Sequence, residues 1–349
     1  MGDKNKIISF YHKNKRTILL VLRIVVSVSL IAFLVRTQFK DFSTAIDTLR
    51  LSHKGLLLLS FSTHIAGVWI TAERWRILLK AQDVRLGVGS LSVTVLIGFF
   101  FNNFLPTSIG GDVFRVYDSS KKANMPIEKS ASIVLVERFS GIVSAATFAI
   151  AALFLGFTAI GDQSVIFPIV IFFIISLAVG FLIINPSVFK LDRLVNRIGF
   201  LRRIREKLVN VYQTLKSFKK SKIVLVQALL YGLLLQFMVI LNYFLAARAL
   251  GIELGLVTFI FLVPVVLVIA MLPISIGGMG LRENSTVFIL VALGVINEDA
   301  ALFSLIIFAM LILFGTFGGI AYIVRPIFGT RTKNRIEEQQ AKSNNDPAA

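Results

Sequence analysis

Six stretches of this chain, residues 17–35, 54–72, 132–158, 164–184, 223–247 and 300–324, stay apolar over the length of a membrane span with few charges between them. An α-helix of ~20 such residues crosses a hydrocarbon core of about 30 Å. A composition of 56% hydrophobic against 16% charged residues, with a mean hydropathy of +0.82, is too apolar for a water-soluble fold of 349 residues. The expected fold class is therefore an all-α polytopic membrane protein. The first apolar block follows Lys4, Lys6, Lys13, Lys15 and Arg16, but it is a full span long without a small-residue cleavage pattern, so it reads as a mature anchor. Cysteine is absent, which removes disulfides, thiolate nucleophiles and Cys-based metal sites.

The formal charge of +18 points to membrane orientation rather than nucleic acid, because the basic residues lie mainly between the spans. Basic short loops stay cytoplasmic, so the first helix runs outward and 54–72 returns, leaving Arg74, Arg76, Lys80 and Arg85 inside. If the apolar stretch 88–105 then crossed fully, the segment 186–222, with eleven Lys or Arg against two acids, would fall outside. The conflict disappears if 88–112 enters from the cytoplasm, breaks at Pro106 and Gly110–Gly111, and returns to the same side. By the same count 256–297 dips in from outside around Pro273 and Gly277–Gly278. The expectation is six spanning helices plus two re-entrant broken-helix hairpins, with both termini cytoplasmic. The loop 36–54, with four basic and two acidic residues, fits this scheme least well.

Between the spans, 186–222 places Leu191, Leu194, Val195, Ile198 and Leu201 at helical spacing among Arg193, Arg197, Arg203 and Lys207. That pattern is a basic amphipathic helix suited to an anionic leaflet, or equally a solvated linker helix. Residues 1–16 form a basic cytoplasmic N-terminus, 17–325 a single membrane domain, and 326–349 a polar cytoplasmic tail.

One motif occurs twice. Residues 105–115 read LPTSIGGDVFR and 272–282 read LPISIGGMGLR, and the flanking spans follow the same offset of 167. This is an internal repeat, one copy over about 17–158 and the other over about 164–325. The charge count places 54–72 and its counterpart 223–247 in opposite directions, so the copies form an inverted-topology repeat. Broken helices meeting between inverted repeats are a recurrent transporter architecture. A duplicated scaffold without a transport cycle would carry the same symmetry. Proline removes a backbone donor, and paired glycines permit a tight reversal and close backbone approach. Irregular backbone of this kind is tolerated at membrane depth where it is buried in protein or lines a wet cavity.

Polar residues gather at these breaks. Asn102, Asn103, Thr107, Ser108, Asp112 and Arg115 accompany the first, and Ser275, Arg282, Glu283 and Asn284 the second. Glu137 and Arg138 lie just inside the apolar helix 132–158, where a charge at the centre costs about 2.5–3.5 kcal/mol on insertion scales. Arg138, Arg115 and Arg282 offer a polar track for a lipid phosphate, because guanidinium matches phosphate geometry. Glu137, Asp112 and Glu283 would hold those arginines or receive a cationic headgroup; Glu137 could equally pair with an arginine for structure alone. Arg74 and Trp75 read as a snorkelling arginine and an interfacial tryptophan at the end of span 54–72. His64 reads as a core residue, and Asn242 and Gln236 as interhelical hydrogen-bonders.

The chain contains no Walker-type loop, dinucleotide fingerprint, zinc-ligand spacing or nucleophile elbow, so no cofactor, metal or enzymatic activity is expected. NNFLPTSIGGDVFR, SASIVLVERFSG and LPISIGGMGLREN together resemble the lysylphosphatidylglycerol synthase transmembrane, or flippase-like, family over about 17–325. The resemblance implies that Asn103, Pro106, Gly110, Gly111, Asp112, Arg115, Glu137, Arg138, Gly277, Gly278, Arg282, Glu283 and Asn284 belong to that family's polar core. In its larger members, the multiple peptide resistance factors, such a region is implied to move aminoacylated phosphatidylglycerol between leaflets, while a soluble domain performs aminoacyl transfer. This sequence ends at residue 349 with a short polar tail, so the synthase activity is not carried over.

The expected function is a flippase-like lipid transporter of the prokaryotic cytoplasmic membrane, moving a phospholipid or glycolipid with a charged or polar headgroup. A polyprenyl-phosphate-linked sugar carrier and a non-transporting scaffold for a lipid-modifying enzyme are the alternatives. Its expected partners are membrane lipids, anionic or glycosylated, and a lipid-modifying enzyme, with no nucleic acid; oligomerisation is left open.

Overall fold

The computed structural model of the chain describes residues 21–22, 24–38, 42–104, 110–156, 218, 221–270, 275 and 277–344. Among these, every regular element is an α-helix. In chain order they are α1 (Ile24–Gln38), α2 (Phe42–Leu51), α3 (Lys54–Lys80), α4 (Val88–Phe104), α5 (Gly110–Ala123), α6 (Ile127–Gly156), α7 (Lys222–Ala249), α8 (Leu256–Ala270), α9 (Leu281–Ala292) and α10 (Asn297–Asn344).

By length and composition, four helices can cross a membrane: α3, α6 over Ile127–Phe148, α7, and α10 over Asn297–Arg325. α1, α4 and α8 are apolar but shorter. Of the six expected spans, 17–35 is thus represented by the short α1. Span 164–184 lies outside the described residues, as do Pro106, Pro273 and nearly all of the basic segment 186–222. The loop that fitted the charge count least well contains α2.

The duplication extends to how the helices stop. After α3, the Val84 amide donates to the Leu79 carbonyl with Asp83 at φ 60°; after α7, Ile252 donates to Ala247 with Gly251 at φ 78°. After α5, Met125 donates to Ser120 with Asn124 at φ 49°; after α9, Val295 donates to Leu290 with Gly294 at φ 87°. Each is the six-to-one bond that closes a helix through a left-handed residue. The same stop recurs at equivalent places in α3–α6 and α7–α10.

Equivalent helices meet head to tail. Along α3 and α7, the His53 amide donates to the Ala249 carbonyl at 2.8 Å, the Ser60 hydroxyl to the Asn242 carbonyl at 2.8 Å, and Gly67 faces Leu235. As numbers rise on one helix they fall on the other, so the pair is antiparallel over most of its length. Two further contacts are reciprocal: α10 packs on α4 of the first copy, and α6 packs on α8 of the second. Each copy has its own apolar core. One is built on Trp75, Leu78, Leu91, Val95 and Ile133, the other on Phe259, Leu262, Val266, Leu290 and Phe303. Each fourth helix also reaches across, Phe314 of α10 into the first core and Phe148 of α6 against the second.

Candidate functional site

α4 and α5 form an antiparallel helical hairpin whose pairing is visible in three contacts. Lys122 Nζ donates to Ser90 Oγ at 2.7 Å, the Thr94 hydroxyl to Asp118 Oδ2 at 2.6 Å, and the Gly111 amide to Asn102 Oδ1 at 2.9 Å. Near the tip the backbones are so close that a Cβ on Gly111 would run into the Gly98 carbonyl and lie 2.8 Å from the Asn102 side chain. Gly111 therefore sets the approach of the two helices, and that approach brings the first turn of α5 to α6.

That turn meets a buried network. Glu137 of α6, 2% exposed, accepts from Arg74 Nη2 of α3 on one carboxylate oxygen at 2.9 Å and from Arg115 Nη2 of α5 on the other at 2.5 Å. The Arg115 guanidinium also lies 4.3 Å from the ring centroid of Trp75 and 3.7 Å from Asp112 Oδ1. Asp112 Oδ2 in turn accepts from Arg138 Nε at 2.6 Å. Three guanidinium groups face two carboxylates, leaving one positive charge in excess. Arg74 Nε and Nη1, Arg115 Nε and Trp75 Nε1 are buried without a hydrogen-bond partner. Arg74, Arg115, Glu137 and Asp112 are all buried, whereas the Arg138 side chain is 48% exposed and stands at the network's open end.

Of the expected site residues, Asp112, Arg115, Glu137 and Arg138 are thus brought together, but in different roles. Arg115 is not a free anion-binding cation: two carboxylates and an aromatic face already engage it. Arg74 and Trp75 correct the sequence reading. α3 runs on to Lys80 and both side chains are buried within the protein, so neither snorkels to a membrane surface; Arg74 is 6% exposed and Trp75 fully buried. The available signal was the apolar run Ile77–Leu78–Leu79, which continues the helix past both residues. Asn103 ties the hairpin to α10 by donating to the Leu311 carbonyl at 2.8 Å.

The second copy builds a different centre. Arg282 and Glu283 pair with each other, Arg282 Nη2 donating to Glu283 Oε1 at 2.6 Å. Glu283 Oε2 accepts from the Gly280 amide at 2.5 Å, so the carboxylate also caps α9. Asn284 donates to the Leu30 carbonyl at 3.0 Å and holds α9 to α1. Asn242 binds Ser60 as an interhelical partner, and His64 packs against Phe61 and Phe314, both as the sequence suggests. Gln236 is buried, but its amide nitrogen has no partner. The two breaks converge: a Cβ on Gly277 would lie 3.1 Å from the Asn102 carbonyl at the end of α4.

A helical membrane protein built from two copies of a four-helix unit, with a buried arginine–carboxylate network beside a helical hairpin, is the class this geometry defines. The chain belongs to the family of the lysylphosphatidylglycerol synthase transmembrane region, whose model matches residues 20–319. It is also similar to a UPF0104 membrane protein of Methanocaldococcus jannaschii, 28% identical over 125 residues, which is 36% of this chain and 35% of that relative. The match therefore spans about a third of the relative's length. No solved structure matches the chain.

Proposed function

We propose that the protein is a flippase-like lipid carrier of the prokaryotic cytoplasmic membrane, in which α4–α5 and α8–α9 are re-entrant hairpins of an inverted repeat with six spans. The single observation that carries this reading is Arg138. Its Nε is held by Asp112, its side chain is half exposed, and behind it lies a buried network with one positive charge in excess and several unpartnered donors. A charge deep in a membrane helix needs an anion, and guanidinium can engage a phosphate through two parallel hydrogen bonds. A phospholipid or glycolipid phosphate at Arg138 would supply that anion, while its acyl chains stay in the bilayer. The antiparallel packing of α3 on α7, and the reciprocal contacts of α4 with α10 and α6 with α8, support one repeat moving against the other. The family relation supports a role at membrane lipids.

The test is leaflet exchange of labelled phosphatidylglycerol, aminoacylated phosphatidylglycerol and a glycolipid in vesicles containing the purified chain. Arg138→Ala is expected to cut the protein-dependent rate by at least about tenfold, the loss of one charge-assisted bond pair of ~1.5–3 kcal/mol. Arg282→Ala is expected to cut it less, because the Arg282 side chain is only 14% exposed and closed onto Glu283. Exchange no faster than in empty vesicles for every lipid tried would sink the reading.

A further inference from the structure

α4 packs on both α5 and α10, but those two helices are not among the pairs that pack closely on each other. Glycine sets the distance between α4 and α10: a Cβ on Gly318 would run into the Leu96 carbonyl, and one on Gly315 would lie 2.6 Å from the Asn103 side chain. With both neighbours drawn onto α4, side chains bridge α5 and α10, and a furrow is left between them. Phe101 of α4 forms its floor, with ring centroids 4.9 Å from Phe114 of α5 and 5.3 Å from Tyr322 of α10. Tyr117 and Tyr322 stand exposed beside it.

The furrow ends in a cluster with more positive than negative charge. The apolar stretch of α10 stops at residue 324, which brings Arg325 to headgroup depth. Asp118 of α5 lies between two cations: Oδ1 accepts from Arg325 Nη2 at 2.8 Å, and Oδ2 meets Lys122 Nζ at 3.0 Å. Two positive charges thus share one carboxylate. Lys122 has spent its three protons, because Nζ also donates to Ser90 Oγ at 2.7 Å and to the Thr94 hydroxyl oxygen at 2.9 Å. Asp118 engages Arg325 through Nη2, and the arginine side chain is 32% exposed, which leaves its Nε–Nη1 edge for an anion. Lys121, exposed and three residues past Asp118, adds a further positive charge on the same side of α5.

The second copy lacks this arrangement. At the repeat offset Asp118, Lys121 and Lys122 correspond to Ser285, Phe288 and Ile289, and Phe101 to Val268. A feature demanded by the shared backbone would recur in both copies. This one belongs to a single face of the membrane, the end where Lys129 reaches the Gln82 carbonyl at 2.8 Å and Lys80 and Arg85 are exposed. Basic ends of this kind face the leaflet that carries anionic lipid.

We infer that the α5–α10 furrow binds an anionic phospholipid of that leaflet, its phosphate on the Nε–Nη1 edge of Arg325 beside Lys121 and an acyl chain over Phe101, Phe114 and the two tyrosines. The bound lipid bridges two helices that no close packing joins. This site is separate from Arg138 and does not depend on transport: Asp112, which holds Arg138, lies on the opposite face of α5 from Phe114 and Asp118.

Because the chain has no cysteine, Tyr117→Cys can carry a single fluorophore beside the furrow. In vesicles of phosphatidylcholine, brominated phosphatidylglycerol is expected to quench it at about fivefold lower mole fraction than brominated phosphatidylcholine, the effect of one basic residue near an anionic surface. Arg325→Gln is expected to abolish that preference. Asp118→Asn, which removes the carboxylate competing for Arg325, is expected to raise it by up to about fivefold. Opposite signs at the two ends of one ion pair are not what misfolding or a purely structural bridge would give. Equal quenching by the two lipids, or a preference that survives Arg325→Gln or fails to rise with Asp118→Asn, overturns the site. Displacement of the brominated lipid by inorganic phosphate at matched ionic strength also overturns it, by showing a site for soluble anions. Leaflet exchange does not enter this measurement, so the two readings stand or fall separately.

Discussion

The first and second copies share the sequence of their broken hairpins and the way their helices stop, yet they spend their charged residues differently. At the repeat offset Arg115 matches Arg282, but Glu137 matches Ser304, Arg138 matches Leu305, Asp112 matches Met279 and Arg74 matches Leu241. The first copy links three helices through a shared carboxylate; the second pairs Arg282 with its own neighbour and uses the same carboxylate to cap α9. Ser304, in the place of Glu137, donates to the Glu283 carbonyl oxygen at 3.1 Å. One backbone plan thus supports a charged junction with an exposed end in one copy and a closed neutral pair in the other. The difference places the one exposed arginine of these networks, Arg138, on the α3–α5–α6 side.

Making the first copy like the second should have the largest effect. Glu137→Ser leaves Arg74 and Arg115 buried without their shared counter-charge, and breaking a buried pair by removing one partner costs about 3–5 kcal/mol. Thermal unfolding in detergent should show a large fall in midpoint, with loss of monodisperse protein near room temperature. Ser304→Ala, the matching position, removes one neutral hydrogen bond and should cost about 1 kcal/mol. Similar losses at the two sites would mean that Glu137 is not the keystone of the network.

The motif glycines should separate the copies next, by mechanism rather than by site. Gly111 needs to be small because the Gly98 backbone and the Asn102 side chain fill the space where a Cβ would sit. Gly278 is at φ 80°, and its Cβ would also lie 2.7 Å from that of Ala270. Gly111→Ala is expected to cost about 1–3 kcal/mol from overpacking alone. Gly278→Ala adds left-handed strain of about 1–2 kcal/mol and should be the worse of the two. Unfolding midpoints for the two variants check the order, and Gly111→Ala at or below Gly278→Ala would reverse it.

The repeat, the apolar helices and the polar residues at the breaks were legible because they are periodic or local: a motif spaced at 167, runs of span length, an acid beside an arginine. The network was only half legible. Glu137 with Arg138 was visible as charge inside an apolar run, but which arginine Glu137 holds depends on a crossing of α3 and α6 that no local pattern encodes. The sequence places Arg74 at a span end because its apolar run stops at residue 72. The helix continues through ERWR, and the buried Glu137 carboxylate lets the Arg74 guanidinium remain inside. The Asp118–Arg325 pair, spanning more than two hundred residues, had no sequence signal beyond two charges near helix ends.

The smallest effect is expected where the copies touch. Position 75 in the first copy is a buried tryptophan under Arg115, whereas its counterpart Asn242 faces the other copy, its amide donating to the Ser60 carbonyl at 2.8 Å and to the Ser60 hydroxyl at 2.9 Å. Interhelical side-chain hydrogen bonds in membranes average only about 0.6 kcal/mol, because the separated helices find other partners. Asn242→Ala should therefore lower the unfolding midpoint only slightly and leave the Arg74–Glu137–Arg115 network intact. A loss approaching that of Glu137→Ser would show that the seam between copies, rather than the charged junction within the first, holds the molecule together.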